Sequence, residues 1–386
     1  MRSAPPFPDT EFAARVARLR QEMAAREIDA LMLTAPADIF YVTGFLTRFW
    51  ESPARSWFVI VPGTGKPVAV IPAIGAELMG GTWIDDIRAW PAPRPDDEGV
   101  SLLADALREA VPPAGRIGLA MGPESHLRMP LADFFRLSDS LAPRAFVDGS
   151  APLRRVREVK SEAEIACIRR TCHLAGAAFD RVPEIARPGR PLDAVFRDFQ
   201  ALCLAEGADW VSYLAGGAGP GGYSDVISPA PDRPLAPGDL MMLDTGAVRS
   251  GYFCDYDRNH AIGHAEDALR RAHDILFAAT EAGIAAARPG MNAADLHEII
   301  AQRIEALGGV ALGGRLGHGL GTTLTEWPSL QPGDETVLRA GMVLAIEPGL
   351  EIAPGRIMVH EENIVLREDG PDLLSPRAPA ELPVLK

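Results

Sequence analysis

Apolar residues recur at helical spacing near the start of the chain, with Phe12, Val16, Leu19 and Met23 on one face, and then give way to the compact apolar run Ala30 to Leu33. Trp57 to Val61, Val68 to Ile71 and Ile117 to Ala120 are short runs of buried-strand length, separated by helix-like stretches near 100–111 and 124–137. This alternation predicts an α/β domain. Turn residues gather at Asp148-Gly-Ser-Ala-Pro152, and past the basic stretch Arg154-Arg155-Val156-Arg157 a capping box, Ser161-x-x-Glu164, opens a new helix. The expected division is residues 1–150 and 151–386.

The second part carries an internal echo. Helical patterns near 161–183 and 191–206 precede the strand pair Leu240–Asp244 and Tyr252–Asp257, joined across Gly246 and Gly251. Helical patterns near 265–287 and 292–307 precede a second pair, Met342–Glu347 and Ile357–Leu366, joined across Gly349, Pro354 and Gly355. Each pair carries two acids in otherwise apolar strands.

Composition narrows the classes. With 386 residues and 47% hydrophobic content the chain can bury large cores. It has no apolar run of about eighteen residues, the length a membrane span needs. The N-terminus MRSAPPFPDTEF has an early acid and no apolar core, so the expected location is the cytoplasm. A net charge of −14 with no basic block argues against a nucleic-acid groove. Cys167, Cys172, Cys203 and Cys254 follow no paired metal-ligand spacing and read as buried reduced thiols.

The acids are the chemical signal. Asp244, Asp255, Glu347 and Glu362 sit in LMMLDTG, GYFCDYD, VLAIEPG and VHEENIVL, where a carboxylate is costly unless paired or bound to a cation. Arg258 and Arg356 could satisfy one of them as an ordinary ion pair, but hardly all together. His318 lies in Arg315-Leu-Gly-His318-Gly-Leu-Gly321, where glycines allow close backbone approach to an imidazole. One imidazole with four carboxylates is a hard, oxygen-rich donor set suited to Mn, Fe(II), Co or Zn, and bridging carboxylates can hold two ions about 3.5–4 Å apart. Such a pair would activate a shared water and polarise an amide-type bond.

These segments, with Ala37-Asp-Ile-Phe-Tyr-Val-Thr-Gly44, Val159-Lys-Ser-Glu-Ala-Glu-Ile165, Gly238-Asp-Leu-Met-Met-Leu-Asp244-Thr-Gly246, Gly317-His318-Gly-Leu-Gly321, Ile346-Glu347-Pro-Gly349 and His360-Glu-Glu362, resemble the pita-bread family of prolidase, aminopeptidase P, methionine aminopeptidase and creatinase. The resemblance implies an α/β creatinase-like N-terminal domain and an α+β pita-bread catalytic domain with an internal pseudo-two-fold repeat. It also implies a dinuclear metal-dependent hydrolase like the Xaa-Pro dipeptidases, with two divalent ions, manganese first. Asp244 would bind one ion, Asp255 and Glu362 would bridge, and His318 and Glu347 would complete the second site, Glu347 also carrying protons. A homodimer is implied, with Thr47-Arg-Phe-Trp50 reaching toward the neighbouring site.

The chain departs from the prolidase pattern where two substrate-contacting histidines are expected, at Ile227 and Thr325. Neither can act as an imidazolium donor. His360, on the same strand face as Glu362, is the expected catalytic replacement, and Asp257, two residues after Asp255, pairs with an arginine, meets a substrate ammonium or adds a metal ligand. The loop Gly216-Gly-Ala-Gly-Pro-Gly-Gly222 lacks the Gly-Lys-Ser/Thr of a phosphate loop. Trp50, Tyr223 and Trp327 could stack on a cationic ligand, and Glu326-Trp327-Pro328 resembles the dimethylsulfoniopropionate-lyase branch of the fold. The expected substrate is a dipeptide or, as the alternative, a small zwitterion handled by a C–N hydrolase or sulfonium lyase.

Overall fold

The computed structural model describes residues 7–52 and 55–386. Compact packing divides the chain after Arg157, with the second unit running from Glu158 to Lys386. The division falls at the end of the helix Ser150–Glu158, past the expected boundary after residue 150.

The N-terminal unit is built on six strands: β1 (Ala30–Leu33), β2 (Phe58–Pro62), β3 (Val68–Pro72), β4 (Asp86–Trp90), β5 (Arg116–Leu119) and β6 (Ala145–Asp148). Their order is β4-β3-β2-β1-β5-β6. The sheet is mixed, β1 running antiparallel to β2 and parallel to β5. Every residue of β1 is buried, which is why it reads as an unbroken apolar run rather than an alternating one. Helices Val100–Ala110 and Leu131–Leu141 bury Leu103, Leu107, Leu137 and Leu141 in a core with Ile60, Val70 and Ile117.

The C-terminal unit repeats a helix-pair-then-strands plan. Helix Glu162–Asp180 starts at the anticipated capping box, Glu164 N donating to Ser161 Oγ (3.3 Å) and Ser161 N to the Glu164 carboxylate (2.9 Å). It and helix Leu192–Ala205 precede β7 (Trp210–Pro220), β8 (Asp239–Arg249), β9 (Tyr252–Phe253) and β10 (Tyr256–Ile262). Helices Asp267–Ala286 and Ala293–Ala306 precede β11 (Val310–Ala311), β12 (Gly317–Gly319), β13 (Glu326–Ser329), β14 (Val343–Ile346), β15 (Gly349–Ala353), β16 (Arg356–Val359), β17 (Glu362–Arg367) and β18 (Gly370–Leu373). The short β19 (Val384–Leu385) joins the first set, giving β19-β10-β8-β7, and the second set forms β13-β12-β14-β17-β18 with β11-β15-β16 beside it. The segment expected as one strand, Ile357–Leu366, is two: β16 and β17 lie in different sheets, with His360 and Glu361 as the link. Leu276, Leu296 and Ile300 from the second helix pair share one core with Met242, Leu344 and Ile364, so strands from both halves are held by the same apolar cluster.

Candidate metal centre

Strand register gathers the acids. On β8 and β10, Asp244 lies directly opposite Asp257, and Asp255, two residues earlier, shares the face of Asp257 by alternation. On β14 and β17 the last ladder pair is Ile346 with Glu362, so Glu347 and Glu361 follow as the next facing pair. His318 pairs with Ala345 across β12 and β14, which puts its ring on the same face as Glu347. A Cβ at Gly317 (φ +149°) would stand 2.3 Å from the Ala345 carbonyl oxygen, and one at Gly319 the same distance from that of Trp327, so only glycine lets the strands close on His318. Asn363 joins the halves: its Oδ1 accepts from Asp255 N (3.0 Å) and its amide donates back to the Asp255 carbonyl.

Ligand atoms of Asp255, His318 and Glu361 lie within 4.8 Å of one another. His318 Nδ1 is 2.8 Å from the Gly319 carbonyl, which can only accept, so Nδ1 carries the proton and Nε2 presents its lone pair. Burial, with Arg315 adding to it, lowers this imidazole to about 4. A neutral ring therefore aims a lone pair at Asp255 Oδ2 (3.4 Å) and Glu347 Oε2 (3.8 Å), an arrangement that repels once these carboxyls ionise and that a cation between them makes favourable. Among the described residues, Asp244 Oδ1 and Glu361 Oε1 have no hydrogen-bond partner, though both are buried. Burial, reinforced by the charge of Glu347, pushes the Asp244 carboxyl up to about 8. Asp255 and Glu361 are held well above the carboxylate range by burial and by their neighbours' charges, and Glu347 is raised by burial. An oxygen-rich donor set of this kind fits hard divalent cations.

Glu362 is not part of this cluster. Its buried carboxylate accepts from Arg258 Nη2 (3.2 Å), Arg377 Nη1 (2.8 Å), Ala378 N (2.8 Å) and Ser375 Oγ. The position expected of Glu362 among the acids is taken by Glu361. His360 shares Glu362's side: Nδ1 meets Thr280 Oγ1 (3.0 Å), Nε2 lies 3.4 Å from Arg377 Nη1, and the ring packs by His273 and Phe277. It lines a cavity of about 140 Å³ with Arg258 and His273, turned from the acids it was expected to serve. Both faces of this strand are buried, so burial alone does not reveal which side faces the metal.

The other expected residues are scattered. Asp257 Oδ1 accepts from Glu361 N (2.9 Å) and Oδ2 from Asn259 Nδ2 (3.2 Å), while the Arg258 guanidinium touches only its carbonyl, so among the described residues the arginine pairing does not form. Tyr223 is buried, its hydroxyl accepting from Val359 N (2.6 Å) and lying 3.2 Å from Asn259 Oδ1. Thr325 and Trp327 are half-buried, and Ile227 is 78% exposed with its N–H held by Asp225 (2.8 Å). Trp50 packs on Phe45 and Trp57 inside the N-terminal unit. Glu326 ion-pairs with Lys160 (3.1 Å) and accepts from Thr322 N (2.9 Å), fixing the loop that follows His318. Two neighbours had no signal in the sequence: Tyr213, its hydroxyl held protonated by burial and by Asp244, Asp255, Glu347 and Glu361, and Arg315, whose charge acts on Asp255, Glu347 and His318.

Comparison with known proteins agrees with this geometry. Residues 166–369 match the description of metallopeptidase family M24, and residues 15–159 that of the creatinase/prolidase N-terminal domain. The probable dipeptidase PepE of Mycobacterium tuberculosis is 31% identical over 367 residues, covering 93% of each chain. The Xaa-Pro dipeptidase of Pyrococcus furiosus is 26% identical over 362 residues, 92% of this chain and 96% of its own. Among solved structures, dipeptidase PepE from Mycobacterium ulcerans superposes with a TM-score of 0.84 at 27% identity, covering 98% of this chain and 99% of the other. The prolidase from Pyrococcus horikoshii gives 0.82 at 23% identity over 96% and 99%, a likeness of fold.

Proposed function

As a member of metallopeptidase family M24 with a creatinase/prolidase N-terminal domain, the chain is a metal-dependent hydrolase, and we propose that it is a dipeptidase of the Xaa-Pro type. The observation that carries the reading is the neutral His318 lone pair facing buried carboxylates. Asp244, Asp255, Glu347 and Glu361 would hold two divalent ions with His318, four negative charges against two dications, and the oxygen-rich set favours manganese. When bound, such ions polarise an amide carbonyl and make water nucleophilic near neutral pH.

The residues supply the rest. Glu347, with 29% of its side chain exposed, is the acid of the cluster open to solvent, and its raised affinity for a proton suits it to take one at Oε and return it to the leaving amine. Asn363 and Asp257 fix the backbones of Asp255 and Glu361, so the donors need not reorganise. Tyr213, half-buried with its hydroxyl 3.3 Å from the Val226 carbonyl, keeps a neutral proton donor at the rim.

Among the described residues no helix is long and apolar enough to cross a membrane, and we place the enzyme in the cytoplasm as a homodimer, in keeping with its free thiols and its relatives' fold. The test is turnover of several Xaa-Pro dipeptides by protein loaded with Mn, Co, Fe or Zn. Cleavage of none, in any metal form, would sink the dipeptidase reading. A second reading rests on Ile227 and Thr325: neither offers an imidazole, and Ile227 faces solvent, which suits a smaller zwitterion. Turnover of N-acyl amino acids, methylated guanidines or sulfonium compounds with no dipeptide cleavage would establish it instead.

A further inference from the structure

The cavity of about 140 Å³ on the arginine side of the His360–Glu362 segment is lined by Arg258, Arg377, His260, His273 and His360. It has room for several waters or one small ion. Part of its wall is the segment 375–383, which has neither helix nor strand and is tied down at three points: Arg258 Nη2 donates to the Pro376 carbonyl, Ala378 N to Glu362 (2.8 Å), and Ala261 N to the Pro383 carbonyl (2.8 Å).

Positive charge exceeds negative charge in this wall. Arg258 and Arg377 share one buried carboxylate, Glu362, at 3.2 Å and 2.8 Å. Glu281, which also pairs with Arg377, has 52% of its side chain exposed, so water screens it. Of the other acids in the wall, Asp180 is exposed, and Asp257 has its oxygens taken by Glu361 N (2.9 Å) and Asn259 Nδ2 (3.2 Å). Burial first, and the two guanidiniums after it, hold His273 and His360 below the usual imidazole range, and burial with Arg258 does the same to His260. That is the field of a positive interior.

Three atoms of the lining residues are buried and, among the described residues, have no hydrogen-bond partner: Arg377 Nη2, His273 Nδ1 and His260 Nδ1. His273 is only 2% exposed, and its Nε2 lies 3.0 Å from the Pro379 carbonyl, which can only accept. Nε2 therefore carries the proton and Nδ1 the lone pair, whereas Arg377 Nη2 can only donate. A fitting ligand accepts from the guanidinium and donates to the imidazole. Water does both but leaves the positive charge uncompensated. A fully deprotonated oxyanion compensates the charge but sets an oxygen against the His273 lone pair.

We propose that this cavity binds a small oxyanion that retains an O–H, hydrogen phosphate or hydrogen carbonate, whose oxygens accept from Arg377 Nη2 and whose O–H donates to His273 Nδ1. The site is separate from the metal cluster and independent of which substrate is cleaved. Its occupant joins the segment 375–383, through Arg377, to the helix Asp267–Ala286, through His273, with charge-assisted hydrogen bonds.

The test is calorimetric titration of the full chain, manganese-loaded and chelator-treated, with phosphate, hydrogen carbonate and sulfate at neutral pH and constant ionic strength. Phosphate or hydrogen carbonate should bind at a single site per chain in both metal states, about tenfold or more tighter than sulfate, which has no O–H to offer the buried lone pair. The tighter of the two identifies the natural anion. Arg377→Met should weaken every anion about 10–100-fold, the loss of a charge-assisted bond. His273→Leu should weaken the O–H-bearing anions and spare sulfate, bringing the preference to about unity, and His273→Asn, whose amide oxygen takes the place of Nδ1, should restore it. The His273 pair decides the matter even if Arg377→Met, which strips Glu362 of a partner, does not fold. Binding that disappears with the metal would put the anion on the metal cluster and overturn the proposal. Sulfate bound as tightly as phosphate, a preference that survives His273→Leu, or no binding of any of the three anions would overturn it as well.

Discussion

Glu361 and Glu362 are neighbours in the chain, equally buried, and live in opposite electrostatic worlds. Glu361 faces Asp244, Asp255 and Glu347, with one oxygen unpartnered and its proton held far above the carboxylate range. Glu362 faces Arg258 and Arg377, and Ser375 and Ala378 complete its hydrogen bonds. One strand thus separates acids that want a cation from outside from an acid that has found its cations inside. Burial of charge is costly on both sides, and only the second cost is offset by the fold itself.

The sharpest way to break the contrast is to neutralise each glutamate in turn. Glu361→Gln should lower turnover at least about 10³-fold, on the scale of losing a principal electrostatic element, and reduce bound metal while the protein stays folded. Glu362→Ala should keep the metal-facing donors but leave two guanidiniums without their shared carboxylate, at about 3–5 kcal/mol of stability. Metal analysis and chemical denaturation of both variants decide the matter. Full metal content in Glu361→Gln with loss in Glu362→Ala would reverse the assignment.

The faces should also differ in how stability follows pH. The metal-side carboxyls have folded pKa values above their unfolded range near 4, Asp244 at about 8, so the metal-free folded chain binds more protons than the unfolded one between those limits. Its stability is therefore fully present below the unfolded pKa and is lost as pH rises through about 8, by roughly 1.4 kcal/mol per pH unit for each carboxyl still protonated. Divalent metal should remove this slope by taking the protons' place, and should bind more weakly as pH falls. Thermal melts in chelator and in manganese between pH 5 and pH 9 (about four units, wide enough to span the shift) test it; a metal-free Tm that rises toward alkaline pH contradicts the sign.

How much of this could be read in advance follows the same division. Helix pairs, strand pairs and the capping box at Ser161 were legible because each is a local pattern of apolar spacing and end residues. Asp244, Asp255, Glu347 and His318 were legible because an acid or imidazole in an apolar or glycine-rich strand has few uses. The phase of His360-Glu361-Glu362 was not, since both sides of that link are buried and the deciding partners, Arg258 and Arg377, come from distant segments. Arg315 and Tyr213 were invisible for a related reason: nothing local distinguishes a residue whose importance is the charge across the sheet.

His360 offers a finer cut through the same strand. If its ring serves only the arginine side, His360→Gln should cost about 1 kcal/mol of stability through the Thr280 contact and leave kcat within about threefold. A drop in kcat of a hundredfold or more (about 2.7 kcal/mol) with metal content intact would mean that the two faces are coupled, and that the imidazole acts through the strand on Glu361.

The smallest effect is expected where the chain has no inward face at all. Ile227 stands where the pita-bread resemblance implies a substrate-contacting histidine, yet here it is 78% exposed. Its segment is held from below, Asp225 accepting from the N–H groups of Ile227 (2.8 Å) and Ser228 (3.0 Å), which fixes the backbone whatever the side chain. A new imidazole there would lie in water, where it is free to ionise and is screened from the acids. Ile227→His should therefore change stability by no more than about 0.5 kcal/mol, as surface substitutions do, and change turnover of Xaa-Pro dipeptides by less than about twofold. A tenfold or greater gain in kcat (about 1.4 kcal/mol) would show that this loop closes over the substrate and brings position 227 to the reacting bond, a donor site that the strand faces alone do not reveal.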